Sequence, residues 1–335
     1  MIFPHKAAPL PGERVQVCDG IQWFYIPLPF ALDHVNCWLL GEPGDHLLID
    51  TGVDNEATRA LWQDALSADN QWPSQILVTH FHPDHVGLAG WFAKNGTEPT
   101  YGSAVELSIA SALQQVPDED YAESYARWYA QNGLPDATVA SVRSGENHYG
   151  RKVHSLPDKQ HWTFLADGDE VVLGGRQYRV LTGQGHSPDM IMLFRDDDHV
   201  LIAADQVLPT ISPNVSIMPH LRTQNPLQNF LDTLGKLESL PDDTLVLPSH
   251  GLPFTGLKGR LQVLREHHEL RLQQVLEACE KPVNAFELFP MLYKRELDPQ
   301  QTVFALGESL AHLHFLEHQG RIRRLESDSV IRFST

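Results

Sequence analysis

The sequence predicts an α/β fold over residues 1–255, followed by a small helical domain over residues 256–335. Short apolar runs of strand length alternate with amphipathic segments in the first part, whereas long amphipathic segments dominate the second. The 335 residues, of which 42% are hydrophobic, are enough to build one large core and a smaller second domain.

Strand, helix and strand follow one another near the N-terminus, which is the order typical of an α/β fold. Apolar runs bounded by Gly and Pro predict strands, and apolar residues at helical spacing predict helices. The predicted strands cover residues 22–26, 36–40, 46–49 and 76–79, and the predicted helices cover residues 56–68 and 86–94.

The segment at about residues 103–160 lacks the strand pattern and predicts helices joined by loops, inserted into the sheet-forming part. Its aromatic stretch at residues 121–129 is a candidate lid over a site, or else a helix packed by its aromatic side chains. The strand pattern resumes after this insertion, over residues 170–173, 177–182, 190–194, 200–203 and 245–247.

Three amphipathic helices are predicted after residue 256, over residues 260–280, 285–293 and 302–319, and Gly320 ends the last of them. Residues 321–325 and 330–333 flank a polar turn, as the strands of a hairpin do. Three helices and a hairpin predict a winged-helix-like domain. This part holds equal numbers of acidic and basic residues, so the first part carries the whole net charge of −18.

The composition argues against several classes of function. A net charge of −18 repels phosphate backbones, which makes generic nucleic-acid binding unfavourable. The longest apolar runs are too short to cross a bilayer, and the N-terminus lacks the apolar stretch of a signal peptide. Three scattered cysteines indicate no disulfide framework. We therefore expect a cytoplasmic protein without membrane partners.

The stretch ILVTHFHPDHVG at residues 76–87 carries the strongest chemical signal, because four ligand-type residues follow a buried strand: His80, His82, Asp84 and His85. On a helix, His80 and His82 would point about 200° apart, so only a loop lets both reach one ion. Imidazole and carboxylate ligands suit zinc, and also iron or manganese. The alternative is a histidine-rich surface loop without a metal.

Three later strands end in the same manner, at GQGHSPD, LIAADQ and LPSHG. Each apolar strand leads into a ligand-type residue flanked by small residues or Pro, namely His186, Asp205 and His250. Each of these alone could be an ordinary turn residue. Together with the first motif they predict a shared metal site.

The HxHxDH motif and the later His, Asp and His resemble the metallo-β-lactamase superfamily over about residues 15–255. The resemblance implies a four-layer αββα sandwich that binds two divalent metal ions, with zinc expected and iron or manganese as alternatives. It implies that the first ion is held by His80, His82 and His186, the second by Asp84, His85 and His250, and that Asp205 bridges them. Asp50, in LLIDTG, would orient the ligand loop, unless it caps the helix at residue 56.

The sequence PSHGLPFTGLKGRL and the helical domain after it resemble glyoxalase-II-related hydrolases with a winged-helix-like C-terminus. That group includes polyketide-associated thioesterases and a mitochondrial endoribonuclease. After GHSP these relatives often carry an acidic residue and then His, whereas this chain has Asp189 and Met190. The departure concerns substrate contacts rather than the metal ligands.

The resemblance also implies a mechanism. A water that bridges two divalent cations has a pKa of about 7, so the hydroxide can act as nucleophile without a catalytic Ser or Cys. Asp84 and Asp205 are then the expected catalytic residues. We hypothesise that Asp84 both binds the second ion and accepts a hydrogen bond from the nucleophile. Tyr149 and His220 are weak candidates for a general acid, and the loop around Asn214 is expected to line the pocket.

Several functions share these ligands. A hydrolase of small thioesters or esters is favoured, while a lactonase acting on acyl-homoserine lactones and a metal-dependent endoribonuclease are the alternatives. A DNA-binding regulator would need a basic recognition helix, but residues 302–319 contain no Lys or Arg. The apolar residues of that helix suit packing or a homodimer contact. The basic cluster Arg321, Arg323 and Arg324 is the one feature that favours DNA binding, and it suits an anionic substrate tail equally.

Overall fold

The computed structural model describes residues 1–30, 32–67, 72–221, 225–325 and 330–335. Two β-sheets pack face to face, and helices cover the outer face of each sheet. This arrangement confirms the predicted four-layer αββα sandwich.

The first sheet has seven described strands in chain order, antiparallel from β1 to β4 and parallel from β4 to β7. Its strands are β1 (Arg14–Cys18), β2 (Ile21–Pro27), β3 (His34–Leu40), β4 (Leu47–Ile49), β5 (Gln75–Leu77), β6 (Thr100–Gly102) and β7 (Trp162–Phe164). The four predicted strands match β2 to β5 within two residues at each end. The other three were not predicted, because each is only three to five residues long and partly exposed.

The second sheet has five described strands in the order β12-β11-β10-β9-β8. Its strands are β8 (Glu170–Leu173), β9 (Arg176–Gly183), β10 (Met190–Arg195), β11 (Val200–Ala204) and β12 (Leu245–Pro248). Strands β8 to β11 form an antiparallel meander, and β12 pairs parallel to β11. All five were predicted, with ends that differ by at most one residue.

The described helices are α1 (Glu56–Leu66), α2 (Pro83–Val86), α3 (Ala89–Lys94), α4 (Ala104–Gln115), α5 (Asp118–Gln131), α6 (Asp136–Arg143), α7 (Pro226–Leu237), α8 (Leu257–Ala278), α9 (Phe289–Leu292) and α10 (Pro299–His318). Two 3₁₀ turns cover Lys159–His161 and Phe286–Leu288. None of these helices is long and apolar enough to cross a membrane.

Two helix predictions were wrong in detail and one helix was missed. The helix predicted over residues 86–94 is two short helices, α2 and α3, which break at Gly87 and Leu88. The helix predicted over residues 285–293 is a 3₁₀ turn followed by the four-residue α9, because Pro290 has no N–H to continue a helical ladder. Helix α7, which lies between β11 and β12, was not predicted at all.

The chain ends in a two-stranded hairpin, as predicted. Its strands β13 (Arg323–Leu325) and β14 (Arg332–Ser334) pair antiparallel. The predicted polar turn falls mostly on residues 326–329, outside the described residues.

The C-terminal helices share a core with the second sheet. One continuous apolar cluster joins Leu201 of β11, Phe230 of α7, Leu261 of α8 and Leu313 of α10. Most apolar side chains of α10 are buried in this cluster, as the packing alternative predicts, whereas Phe304 is 42% exposed. A homodimer contact stays a prediction. The C-terminal helical domain therefore shares an apolar core with the second sheet, and its boundary at residue 256 stays a prediction.

Arg260 of α8 fastens this helical domain to the loop that follows β11. The side chain is 5% exposed, and it donates hydrogen bonds from Nε to the carbonyl of Leu208 (2.6 Å) and from Nη2 to the carbonyl of Ile211 (2.7 Å). Burial lowers the pKa of Arg260 from its usual value. The guanidinium satisfies two backbone carbonyls that α8 would otherwise cover.

Replacing Arg260 with methionine is expected to lower the free energy of unfolding by about 2–4 kcal/mol, because two covered carbonyls lose their donors. Urea unfolding measures this change. Lys258→Met is the matched control, since Lys258 lies on the same helix and makes an exposed ion pair with Asp242. The control should change stability by no more than about 0.5 kcal/mol; equal losses in both variants would contradict the prediction.

Candidate metal centre

The ligand-type residues meet where strands of both sheets end. Strands β4 and β5 run parallel in one sheet, and β9, β11 and β12 point the same way in the other. Their carboxyl ends therefore lie at one edge of the sandwich. The residues that follow these ends are Asp50, His80, His186, Asp205 and His250.

A first group of donor atoms converges between the loops after β5, β9 and β11. His82 Nδ1 lies 2.9 Å from His80 Nε2 and 3.0 Å from His186 Nε2. His186 Nε2 in turn lies 3.2 Å from Asp205 Oδ2. Around a tetrahedral ion with bonds of about 2.0–2.1 Å, ligand atoms are about 3.3 Å apart. These four atoms therefore have the spacing of one metal's ligands.

A second group lies on the other side of the same aspartate. His250 Nε2 is 3.5 Å from Asp84 Oδ2 and 3.3 Å from Asp205 Oδ1, and His85 Nε2 is 3.6 Å from each of these oxygens. Asp84, His85 and His250 also form a group whose donor atoms can reach one ion. The structure thus brings all seven predicted ligands together, with Oδ2 of Asp205 facing one group and Oδ1 the other.

Three buried atoms of the second group have no hydrogen-bond partner among the described residues: His85 Nε2, His250 Nε2 and Asp205 Oδ1. Leaving a buried polar atom unsatisfied costs about 1–3 kcal/mol. All three belong to the same cluster of ligand-type atoms, so a cation there would satisfy them together. The residues present therefore fit a divalent metal ion.

Four of the five histidines use one ring nitrogen for a fixed contact and leave Nε2 for the cluster. These Nδ1 contacts are His80 to Thr79 Oγ1 (3.0 Å), His85 to Asp50 Oδ2 (2.7 Å), His186 to the carbonyl of Asn214 (2.8 Å), and His250 to the carbonyl of His34. Such contacts fix the tautomer and the ring orientation of a metal ligand. The loop around Asn214, predicted to line the pocket, thus orients His186 through its backbone.

Asp50 organises the ligand loop rather than a helix end. Its carboxylate accepts hydrogen bonds from the backbone N–H and the hydroxyl of Thr79 (both 2.9 Å), and it contacts His85 Nδ1. The N-cap of α1 is Asn55, so the alternative that Asp50 caps this helix is wrong. Asp50 has a left-handed backbone, with φ of 60°. Aspartate tolerates that conformation better than most residues.

Electrostatics also favour a cation here. Burial lowers the pKa of His80 and His82 well below the usual value, so both rings stay neutral and offer lone pairs. Burial also acts to lower the pKa of His85, but Asp84, Asp50 and Asp205 outweigh it and raise that pKa to about 10. The carboxylates thus create a negative potential that a proton or a metal ion can neutralise.

Asn36 was missed by the sequence reasoning, although it holds the His250 loop in place. Its Nδ2 donates to the carbonyls of Pro248 (2.8 Å) and Gly251 (2.7 Å), and its Oδ1 accepts from Trp23 Nε1 (2.8 Å). The only signal in the sequence was an amide side chain within an apolar run, HVNCWLL, and the structure shows that Asn36 is fully buried. Asn36, a residue of the first sheet, therefore positions His250, which lies in the loop after β12 of the second sheet.

Both candidate general acids, Tyr149 and His220, already make contacts within the protein. The Tyr149 hydroxyl donates to the carbonyl of Phe81 (2.7 Å), which is a structural contact. His220 packs its ring against Phe81 and lies 3.2 Å from the Tyr125 hydroxyl, measured at Nδ1. Burial lowers the pKa of His220 to about 4, so its ring is neutral at physiological pH.

Helix α5, the candidate lid, is packed in this structure. Tyr125, Trp128 and Tyr129 are at most 8% exposed, and the carbonyl of Gln131 accepts a hydrogen bond from the N–H of Ile331 in the C-terminal part (2.8 Å). The aromatic residues therefore serve packing, and opening of this helix as a lid remains a prediction.

Comparison with known proteins agrees with this geometry. A sequence model described as "Metallo-beta-lactamase superfamily" matches residues 31–250, about two thirds of the chain. The chain belongs to the metallo-β-lactamase superfamily. A second model, described as "Metallo-beta-lactamase-like, C-terminal domain", matches residues 272–335. The winged-helix and glyoxalase-II interpretations of this part stay predictions.

Relatives within the superfamily include metallo-hydrolases that match most of the chain. A β-lactamase domain protein from Burkholderia ambifaria is 38% identical in a crystal structure, with a TM-score of 0.90, covering 99% of this chain and 97% of that one. A probable metallo-hydrolase, YqjP from Bacillus subtilis, is 27% identical over 92% of this chain and 96% of its own length. The bovine acyl-coenzyme A thioesterase MBLAC2 is 26% identical over 69% of this chain and 78% of its own length.

Proposed function

We propose that this protein is a dinuclear metal-dependent hydrolase of a small thioester or related ester. The observation that carries the proposal is the position of Asp205, whose two carboxylate oxygens face two separate groups of ligand atoms. A carboxylate placed in this way can bridge two ions, as two-metal hydrolytic sites require. The metallo-hydrolase relatives support the same reaction class.

The donor sets indicate which ions would bind. The first group offers three imidazoles and one carboxylate oxygen, a set that suits zinc, while the second has two carboxylates and two imidazoles and also suits iron or manganese. Bound divalent ions would supply a lowered pKa for water and polarisation of the substrate carbonyl.

Asp84 is placed to act on the reacting water. Its side chain is 17% exposed, compared with 7% for Asp205, so one side of its carboxylate reaches the solvent-facing part of the site. There it can accept a hydrogen bond and hold the nucleophile in line with a bound carbonyl. This position supports the double role of ligand and hydrogen-bond acceptor.

The leaving group follows from the proton donors that the site offers. The Tyr149 hydroxyl is already donated to a backbone carbonyl, and the buried His220 ring is neutral. A thiolate departs without a general acid, whereas an amine needs one. The two engaged candidates therefore favour a thioester, in keeping with the thioesterase relative.

A substrate panel on protein of measured metal content tests the proposal. Acyl thioesters should be hydrolysed with a kcat/KM at least about tenfold above that for acyl-homoserine lactones, a difference of about 1.4 kcal/mol in barrier. A fluorogenic RNA should remain uncut, because the net charge of −18 repels it. Preferential lactone or RNA cleavage would replace the thioester assignment, and inactivity on the entire panel would remove it.

A further inference from the structure

A buried glutamate from the inserted segment lies behind the metal centre. Glu106, in the first turn of α4, is 2% exposed. Its Oε2 accepts a hydrogen bond from the N–H of Phe81 (3.0 Å), and its Oε1 accepts one from the N–H of Asp189 (2.6 Å). Phe81 lies between His80 and His82, and Asp189 follows His186 by three residues.

We infer that Glu106 is a positioning residue that sets the distance between the two loops carrying the histidines of the first ligand group. One carboxylate grips one backbone N–H from each loop, and its two oxygens have a fixed separation. The loops come from different sheets, so their spacing depends on a contact of this kind. The inference rests on the metal centre alone and does not depend on the proposed substrate.

Neighbouring residues also hold the start of α4 and both loops in place. The Ser103 hydroxyl caps α4 by accepting from the N–H of Val105 (3.1 Å), and it donates to Asp189 Oδ2 (2.5 Å). On the other side of the ligand loop, the Tyr149 hydroxyl donates to the carbonyl of Phe81. The peptide groups that flank Phe81 are thus held from both sides by residues of the inserted segment.

Glutamine in place of Glu106 keeps the size of the side chain but loses one of its two acceptor oxygens. A carboxamide has one acceptor oxygen, and its NH₂ would face a backbone N–H, donor against donor. One of the two loops must then shift or lose its hydrogen bond. Misplaced ligands bind metal more weakly, and loss of an outer contact typically costs 10–100-fold in affinity.

Competition with a chromophoric chelator for Zn²⁺ tests this inference on the full-length protein. Glu106→Gln should raise the Zn²⁺ dissociation constant by about 10–100-fold. Leu113→Ala is the matched control, since Leu113 lies on the same helix, is 4% exposed and has an apolar side chain that can hydrogen-bond to neither loop. It should lower the stability of α4 but leave the dissociation constant within about twofold.

An unchanged dissociation constant in Glu106→Gln, or an equal rise in Leu113→Ala, would overturn the inference, because either result reduces Glu106 to a packing residue. If Glu106→Gln does not fold, Glu106→Asp decides. Aspartate keeps both acceptor oxygens but is one methylene shorter, so its carboxylate is drawn away from the two backbone N–H groups. It should weaken Zn²⁺ binding in the same direction, and unchanged binding would then count against the inference.

Discussion

Asp205→Asn is expected to lower kcat/KM by about 10³-fold or more, which corresponds to about 4 kcal/mol of lost transition-state stabilisation. The Oδ2 atom of Asp205 lies 3.2 Å from His186, and Oδ1 lies 3.3 Å from His250. Asparagine keeps the shape but presents an oxygen to only one ligand group and an NH₂ to the other. It also removes a negative charge from a site that has to hold cations.

Two measurements check the effect of Asp205→Asn: kinetics on the best substrate of the panel, and metal content after dialysis. Asp243→Asn is the control, because Asp243 is also an aspartate beside a histidine, His199, but it is exposed and remote in the fold from the cluster. The control should keep both activity and metal. Retention of full activity by Asp205→Asn would contradict the bridging role and with it the two-metal proposal.

The metal ligands were predictable because the sequence immediately around each of them carries a recognisable pattern. His80, His82, Asp84 and His85 lie within six residues after an apolar strand, and this arrangement requires no knowledge of distant contacts. His186, Asp205 and His250 follow the same strand-end layout. The repeated layout and the resemblance to the superfamily implied that these side chains meet, because a strand prediction gives neither the direction of a strand nor its sheet.

The residues that hold the ligands were not predictable from local pattern. Asn36 acts across 212 residues on the carbonyl of Pro248, and Glu106 acts across 83 residues on the N–H of Asp189. In the sequence, each is a single polar residue within an apolar segment. Only the pairing of the two sheets and the position of α4 show which backbone groups they reach.

The C-terminal part was predicted as helices and a hairpin, but its attachment was not. Helical periodicity shows that one face of a helix is apolar, and it does not show what covers that face. In the structure, α10 packs against α7 and α8, and these three helices share one apolar cluster with the second sheet. Arg260 then reaches the loop after β11, a contact between a helix and backbone carbonyls that no side-chain pattern encodes.

Removal of metal is expected to lower the melting temperature by about 6 °C for each bound ion, when the free ion concentration before removal is 1,000 times the dissociation constant. An ion that binds only the folded state stabilises it by about 4.1 kcal/mol at that concentration. For 335 residues, the unfolding entropy is about 0.7 kcal/mol/K, and this entropy converts the loss into degrees. In the stripped protein, His85 Nε2, His250 Nε2 and Asp205 Oδ1 would keep no hydrogen-bond partner among the described residues.

Differential scanning calorimetry with and without a chelator, followed by addition of excess Zn²⁺, measures this shift. The control is the double variant His82→Ala/His250→Ala, which removes one imidazole from each ligand group. The chelator should leave the melting temperature of the double variant nearly unchanged, because little metal remains to be withdrawn. An equal drop in both proteins would mean that the chelator acts elsewhere. No drop in the wild type would mean that the folded protein binds no ion at the cluster, because an ion that binds only the folded state must stabilise it by mass action.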